Sequence, residues 1–296
     1  MSTVTAPPRS AAWGLVRAAR PRQWTKNVLV AAAPLAAGRL LEPAVLVGTL
    51  VAFAAFSLTA SGVYLLNDVL DVEEDRRHPT KRNRPVAAGV LSPAVAVAAS
   101  GVLLGLGMVV GWLRNPGLGA VLTVYVVVQL GYVLWLKHEP VIDLVVVASG
   151  FLLRAVAGGT ASDLVLSQWF LLVASFGSLF LVAGKRYSEI HNLGAEAGTR
   201  RSLASYSESY LRFVWSMAAA ITIVSYSLWA FQTNADHAGT PWAAVSIAPL
   251  VLALLRYAAD IDRGTAAAPE DIVLRDRVLQ TLGVAWAALV ALAVYT

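Results

Sequence analysis

Apolar residues fill this chain in long blocks, and polar residues gather in the intervals between them. The blocks fall at about 25–41, 43–66, 92–113, 118–136, 140–160, 168–184, 211–232, 241–259 and 278–295. Most reach the roughly 17–25 residues that an α-helix needs to cross a hydrocarbon layer. The pattern therefore predicts an all-α integral membrane protein with about nine transmembrane helices. Eight is the fallback, because the first block is short and holds Pro34, which kinks or breaks a helix. Ahead of it, residues 11–23 (AAWGLVRAARPRQ) read as a short amphipathic entry in the membrane interface, with Trp13 and Trp24 as anchors. Residues 1–10 read as disordered, and no cleavable signal peptide is evident. Without a linker or low-complexity stretch, residues 1–296 are expected to form a single transmembrane domain.

Composition agrees with the pattern. The chain is 57% hydrophobic and 14% charged, with mean hydropathy +0.65, whereas a soluble domain carries about 25% charged residues. Cysteine is absent, which excludes disulfides and thiolate metal sites, and His78, His138, His191 and His237 lack zinc spacing. The net charge of +5 sits in loops. It points to phosphates or anionic headgroups, and no nucleic acid is expected as a partner. With the N-terminus inside, every Lys and Arg except Arg39, Arg114 and Arg154 falls on the cytoplasmic side, which puts the C-terminus outside. The long charged loops 67–91, 185–210 and 260–277 then share the cytoplasmic face, where chemistry on a soluble charged substrate would have to occur.

The densest chemistry lies in residues 67–85, NDVLDVEEDRRHPTKRNRP. If the preceding helix continues one or two turns, Asn67, Asp71, Asp75 and Asp68 fall at roughly 0°, 40°, 80° and 100°, on one face. Glu74 sits on the rim of that arc and Glu73 points away. Oxygen ligands gathered at a helix C-terminus repel one another and oppose the macrodipole unless a cation sits among them. Such a set suits Mg²⁺, which keeps several waters and shares substrate phosphates. The following bases, Arg76, Arg77, Lys81, Arg82 and Arg84, are placed to hold phosphate charge. The plainer alternative is a solvated loop of mutually neutralising charges; the shared face weighs against it.

Other polar residues leave more than one reading open. Asp143 and Arg154, eleven apart on the fifth block, come within about 20° of each other on a helix, as a structural pair or as substrate contacts. Asp260 and Asp262, beside Arg256, read as a solvated helix end. Tyr187 is a candidate ribose or phosphate partner, while Glu189 could equally be structural. Lys26 reaches the same pocket or anchors its helix to headgroups.

The motif N-D-x-x-D-x-x-x-D (Asn67, Asp68, Asp71, Asp75) resembles the UbiA superfamily of membrane-embedded prenyltransferases, and R-P-R-Q-W-T-K-N at residues 20–27 resembles that family's start. The resemblance implies a nine-helix bundle with a polar cavity facing the cytoplasm. The family's second acidic motif is replaced by G-K-R-Y-S-E at residues 184–189, where Lys185 and Arg186 would grip phosphate oxygens directly. With HPTKRNRP, SYLRFVW and EDIVLRDRVLQ, this departure resembles the decaprenyl-phosphate phosphoribosyltransferase branch. That likeness implies a protein of the bacterial plasma membrane and transfer of 5-phosphoribose from phosphoribosyl pyrophosphate to a polyprenyl phosphate, with Mg²⁺ as cofactor, for cell-wall arabinan precursors. Asp68, Asp71 and Asp75 would be catalytic through the metal. Phosphoribosyl pyrophosphate, the polyprenyl phosphate and membrane lipids are the expected partners, and a homo-oligomer is compatible with the pattern. Two rivals stand beside this reading: a prenyltransferase with a prenyl diphosphate donor and an aromatic acceptor, and a non-enzymatic transporter that would use Asp143 and Arg154.

Overall fold

The computed structural model describes residues 11–193, 205–236, 241–266, 272 and 275–295. The expected disordered tail at 1–10 lies outside the described residues, as do parts of the second and third charged loops. Among the described residues, eight helical segments are long and apolar enough to cross a membrane. In chain order the helices are α1 Ala11–Ala18, α2 Ala32–Ala36, α3 Pro43–Leu70, α4 Val72–Arg77, α5 Pro93–Arg114, α6 Pro116–Leu134, α7 Ile142–Ala161, α8 Gln168–Leu193, α9 Glu208–Asp236, α10 Trp242–Val245, α11 Ile247–Asp262 and α12 Arg277–Tyr295. The spans are α3, α5, α6, α7, α8, α9, α10 with α11, and α12.

The first apolar block is the exception. It starts within a 3₁₀ stretch, Pro21–Ala31, which takes in the end of the entry segment and is followed by the short α2. Pro34 breaks the ladder at the join of the two, since proline withholds an amide from the carbonyl four residues back, that of Val30. That carbonyl instead packs against the bare Cα of Gly158 on α7, where a Cβ would lie 1.6 Å from it.

Helix starts are marked by side chains that accept otherwise unpaired amides. Ser92 Oγ accepts from Val95 N ahead of α5, and Asn115 Oδ1 from Leu118 N at α6. Ser167, Ser207 and Asp276 do the same at α8, α9 and α12. Inside the spans, hydroxyls such as Thr49, Thr59, Ser178 and Thr222 donate to the carbonyl four residues earlier. Their polarity is thus satisfied within the helix, as a hydrocarbon solvent demands.

Contacts divide the chain into two compact units, Met1–Val28 with Leu50–Val133, and Leu29–Thr49 with Leu134–Thr296. In the first, small residues let α5 approach α3 closely: Ser100 Oγ donates to Gly62 O at 2.7 Å, and a Cβ on Gly107 would collide with Thr59. Ala18, Leu65, Val86, Leu91 and Ala96 form a core beneath the charged segment. Residues 19–27 run antiparallel to α3, held by Ser61 Oγ donating to Ala19 O, Trp24 Nε1 to Ser61 Oγ, and Asn27 Nδ2 to Ser57 Oγ, at 2.9, 3.0 and 3.0 Å. In the second unit α8 packs along α7 and α9, around Leu144, Phe180, Tyr187, Leu211, Tyr257 and Ile261.

Candidate active site

The charged segment begins as a continuation of α3. That helix runs past the end of the apolar block to Leu70, and the ladder persists through Asp71 N to Asn67 O at 2.9 Å and Asp75 N to Asp71 O at 2.8 Å. Asp71 sits at the step between α3 and α4, with φ −94° and ψ 11°. Because seven residues are close to two helical turns, Asp68 and Asp75 share a face, and each is only 1% exposed. Asn67 and Asp71 are half-buried; Glu73 and Glu74 are exposed, with Glu73 accepting from Arg76 at 2.6 Å.

After α4 the chain folds back. His78 Nδ1 accepts from Thr80 N and Lys81 N at 3.2 and 3.4 Å, which tightens the turn into a short 3₁₀ piece, Lys81–Asn83. Pro85 restricts the residue before it to an extended conformation, and Arg84 has φ −66° and ψ 143°. Its guanidinium therefore returns to the acidic face, where Nη1 donates to Asp75 Oδ2 at 2.7 Å and to Asp68 Oδ1 at 3.2 Å. Arg20 arrives from the other side. It follows α1 with φ +53°, a left-handed conformation that costs a non-glycine residue about 1 kcal/mol or more. From there it donates to Asp68 Oδ1, and its guanidinium lies 4.8 Å from the centre of the Tyr64 ring.

These groups surround a cavity of about 330 Å³ lined by Arg17, Arg20, Asp68, Thr80, Lys81, Asn83, Arg84 and Pro85. Four bases thus face one buried carboxylate. Asp68 Oδ2 is buried without a hydrogen-bond partner among the described residues. An orphaned anionic oxygen in such a place is costly unless a cation or a proton donor completes it. Among the described residues no three acidic or histidine side chains converge as they stand to hold a metal ion; Arg84 occupies the position between Asp68 and Asp75. Of the expected phosphate ligands, Lys81 and Arg84 line the cavity, whereas Arg82 is exposed and off its wall. Lys26 is half-buried on the first 3₁₀ stretch. Arg17, Arg20, Thr80 and Asn83 were not singled out from the sequence. The clue for the arginines lay in their three-residue spacing on the entry segment, which was read as an interfacial helix anchored by Trp13 and Trp24 and, from Arg20 on, as resembling the family's start.

The second basic motif lies in the other unit and differs from expectation. Lys185 is 43% exposed and 3.9 Å from Glu189. Arg186, expected to grip phosphate, is instead closed off: its Nε and Nη2 donate to the two oxygens of Asp143 at 3.1 and 3.2 Å, and Nη1 donates to Glu189 at 2.8 Å. The reason is the buried Asp143 carboxylate on α7, which requires a cation in a low-dielectric setting. Tyr187, expected as a ribose or phosphate partner, is 1% exposed in the core, and its hydroxyl accepts from Arg212 at 2.8 Å.

Asp143 is placed by a turn at which Val141 has φ +69°, Ile142 N donates to Pro140 O at 2.8 Å, and Val141 N donates to Tyr206 Oη at 2.6 Å. This is a γ-turn, rare and strained for a β-branched residue. Burial pushes the Tyr206 phenol above its usual range, with Asp143 adding to the shift, so the hydroxyl stays neutral. Arg154 is also buried on α7, with Nη1 donating to Gly150 O at 2.6 Å. Asp262 pairs with Arg212 at 3.1 Å and Asp260 with Arg263 at 3.8 Å, while Arg256 donates to Asp276 at 2.8 Å.

Comparison with known proteins gives these features a context. The model of the UbiA prenyltransferase family matches residues 27–275. The chain is 52% identical over 298 residues to the decaprenyl-phosphate phosphoribosyltransferase of Mycobacterium tuberculosis, covering 98% of this chain and 97% of that protein. It is 49% identical over 298 residues to the Corynebacterium glutamicum protein of the same name, covering 98% and 89%. Among solved structures, a UbiA homolog from Archaeoglobus fulgidus bound to DMAPP and Mg²⁺ superposes with a TM-score of 0.72 at 16% identity, covering 95% of this chain and 99% of that one. Eight long apolar helices, an acidic motif at the end of α3 and near-complete coverage by these relatives lead to one conclusion: the chain belongs to the UbiA prenyltransferase family.

Proposed function

We propose that this protein transfers 5-phosphoribose from phosphoribosyl pyrophosphate to a polyprenyl phosphate, decaprenyl phosphate being the acceptor named for its relatives, and releases pyrophosphate. The observation that carries the reading is the cavity in which Arg17, Arg20, Lys81 and Arg84 face the buried Asp68. Four cations in one small space suit a substrate with several phosphate groups. The bond from ribose C1 to the pyrophosphate oxygen breaks, and a phosphate oxygen of the lipid forms the new bond at C1. Negative charge develops on the leaving group, so groups that stabilise pyrophosphate give the main catalytic advantage. The lipid phosphate is already ionised near neutral pH, so no strong general base is required.

The residues fit a divalent cation by their donor chemistry: Asp68 Oδ2 is a buried hard oxygen lacking a partner, with Asp75, Asp71 and Asn67 next along the same helical face. Those four side chains are assigned to Mg²⁺, and Asp68, Asp71 and Asp75 to catalysis through it. Bound there, the ion would neutralise pyrophosphate oxygens as they depart. Lys81, Arg84, Arg17 and Arg20 are assigned to donor phosphates, with Lys185 as a further candidate.

The site opens to the cytoplasm on this reading, since phosphoribosyl pyrophosphate is a cytosolic anion too charged to cross a bilayer. The first apolar block then counts as a ninth crossing. The seven 3₁₀ residues that fall in the block, Thr25–Ala31, and the five of α2 would extend about 22 Å, because a 3₁₀ helix rises faster per residue than an α-helix, and the remaining residues to 41 would complete the crossing. The direct test incubates purified protein with labelled phosphoribosyl pyrophosphate, Mg²⁺ and polyprenyl phosphate. Label should enter the lipid extract only when all are present. Incorporation from a labelled prenyl diphosphate into an aromatic acceptor instead would replace this reading.

A further inference from the structure

Arg84 lies between two of the carboxylates assigned to the metal ion. A single nitrogen, Nη1, touches Asp75 Oδ2 at 2.7 Å and Asp68 Oδ1 at 3.2 Å, bridging carboxylates that are almost completely buried. The same side chain is 25% exposed and lines the cavity. Asp68 Oδ2, beside this bridge, has no hydrogen-bond partner among the described residues. Thus the guanidinium satisfies part of the acidic site while facing the space where phosphate would lie.

Charge balance gives the consequence. Asp68 and Asp75 carry two negative charges, Arg20 and Arg84, which pair with them, carry two positive ones, and Arg17 and Lys81 on the cavity wall add two more. A divalent ion entering alone would add to the positive charge of the four bases, and a diphosphate entering alone, though drawn by those bases, would set some of its oxygens against the carboxylates. Arriving together they compensate each other, provided Arg84 can leave the carboxylates for phosphate oxygens.

We infer that Arg84 is a built-in counter-ion for the acidic motif, exchanged from Asp68 and Asp75 onto the donor's diphosphate when the metal binds, so that metal and donor bind cooperatively. Arg84 then suppresses metal binding in the absence of donor and contacts the diphosphate once it is bound. The inference rests on the phosphoribosyl-transfer reading of the site.

The test measures metal binding rather than turnover. Full-length protein in detergent is titrated with Mn²⁺, read by electron paramagnetic resonance at matched free Mn²⁺, with and without pyrophosphate as the probe. In the parent, pyrophosphate should tighten Mn²⁺ binding by roughly 5–150-fold, the usual range of coupling between linked sites. Arg84→Gln should tighten Mn²⁺ binding without pyrophosphate by about tenfold and reduce the gain from pyrophosphate. Arg84→Lys, which keeps the charge but lacks the planar fork, should fall between, and decides the matter if the glutamine variant does not fold. A merely structural Arg84 would give the opposite sign, with weaker metal binding once the acidic face is disordered. Parent binding indifferent to pyrophosphate, or folded Arg84 variants with unchanged or weaker Mn²⁺ affinity, would overturn the inference. Label transfer by the parent remains the separate check on the reaction: if transfer is intact and Mn²⁺ binding ignores Arg84, only the counter-ion role falls.

Discussion

Asp68→Asn keeps the size of its side chain and removes the charge that faces Arg20 and Arg84. Turnover in the lipid-extract assay should fall at least about a hundredfold, the scale for losing a preorganised electrostatic group, with the fold retained. Asp71→Asn should behave alike, EDTA should abolish activity, and Mg²⁺ should restore it. Full activity in both variants would remove the metal assignment. The two residues of the second basic motif should part company. Arg186→Ala leaves Asp143 buried without its cation and should lower the melting temperature, by a loss on the order of 3–5 kcal/mol. Lys185→Ala should keep the melting temperature and raise the donor KM by about tenfold, the scale of one charge-assisted contact. A normal melting temperature with a raised KM for Arg186→Ala would return Arg186 to the donor site. The shared face of Asp68 and Asp75 was legible in the sequence because seven residues make close to two helical turns and the ladder persists across the step at Asp71. The carboxylate partners of Arg20 and Arg186 were not, because they are distant in sequence. Asp68 meets Arg20 across 48 residues, and Arg186 meets Asp143 across 43. A Lys-Arg pair at a helix end reads the same whether it greets solvent or answers a buried carboxylate.

Element by element, the blocks of apolar residues became spans, with ends that moved by a few residues where caps or continuing ladders set them. The ladder of the first block breaks for a local reason, Pro34, and the sequence carried that warning. What it did not carry is the use made of the freed Val30 carbonyl. Gly158→Ala should therefore be destabilising: its Cβ would lie 1.6 Å from that oxygen, and overpacking of this kind costs about 1–3 kcal/mol. Gly101→Ala and Gly105→Ala on α5 supply the control. Both glycines are exposed and a Cβ meets nothing within 4 Å, so each exchange should be neutral or stabilising by up to about 1 kcal/mol through helix propensity. Melting curves in detergent distinguish the two groups. Equal melting temperatures across all three variants would mean that α7 can move off the first block at no cost.

For the molecule as a whole, the reaction requires the acidic segment on the inner face of the membrane. The chain has no cysteine, so single probes can be read without background. A cysteine at the exposed Thr80 should resist an impermeant thiol reagent applied to intact cells and react once the membrane is opened, whereas one at the exposed Gly117 should react from outside. Labelling of the Thr80 probe from outside would remove the proposed access of the cytosolic donor. The Asp143–Arg186 bridge bears on how such a chain is made. Helix α7 brings Asp143 and Arg154 and helix α8 brings Lys185 and Arg186, with only residues 162–167 between them. An ionised side chain within an isolated span costs about 2.5–3.5 kcal/mol at its centre and less towards its ends. Entering as a hairpin, the two spans can set Asp143, in the first turn of α7, against Arg186, towards the end of α8. Asp143→Asn, which takes the charge from the carboxylate facing Arg186, should lower the yield of inserted chains, and an unchanged yield would mean that the bridge matters only after insertion.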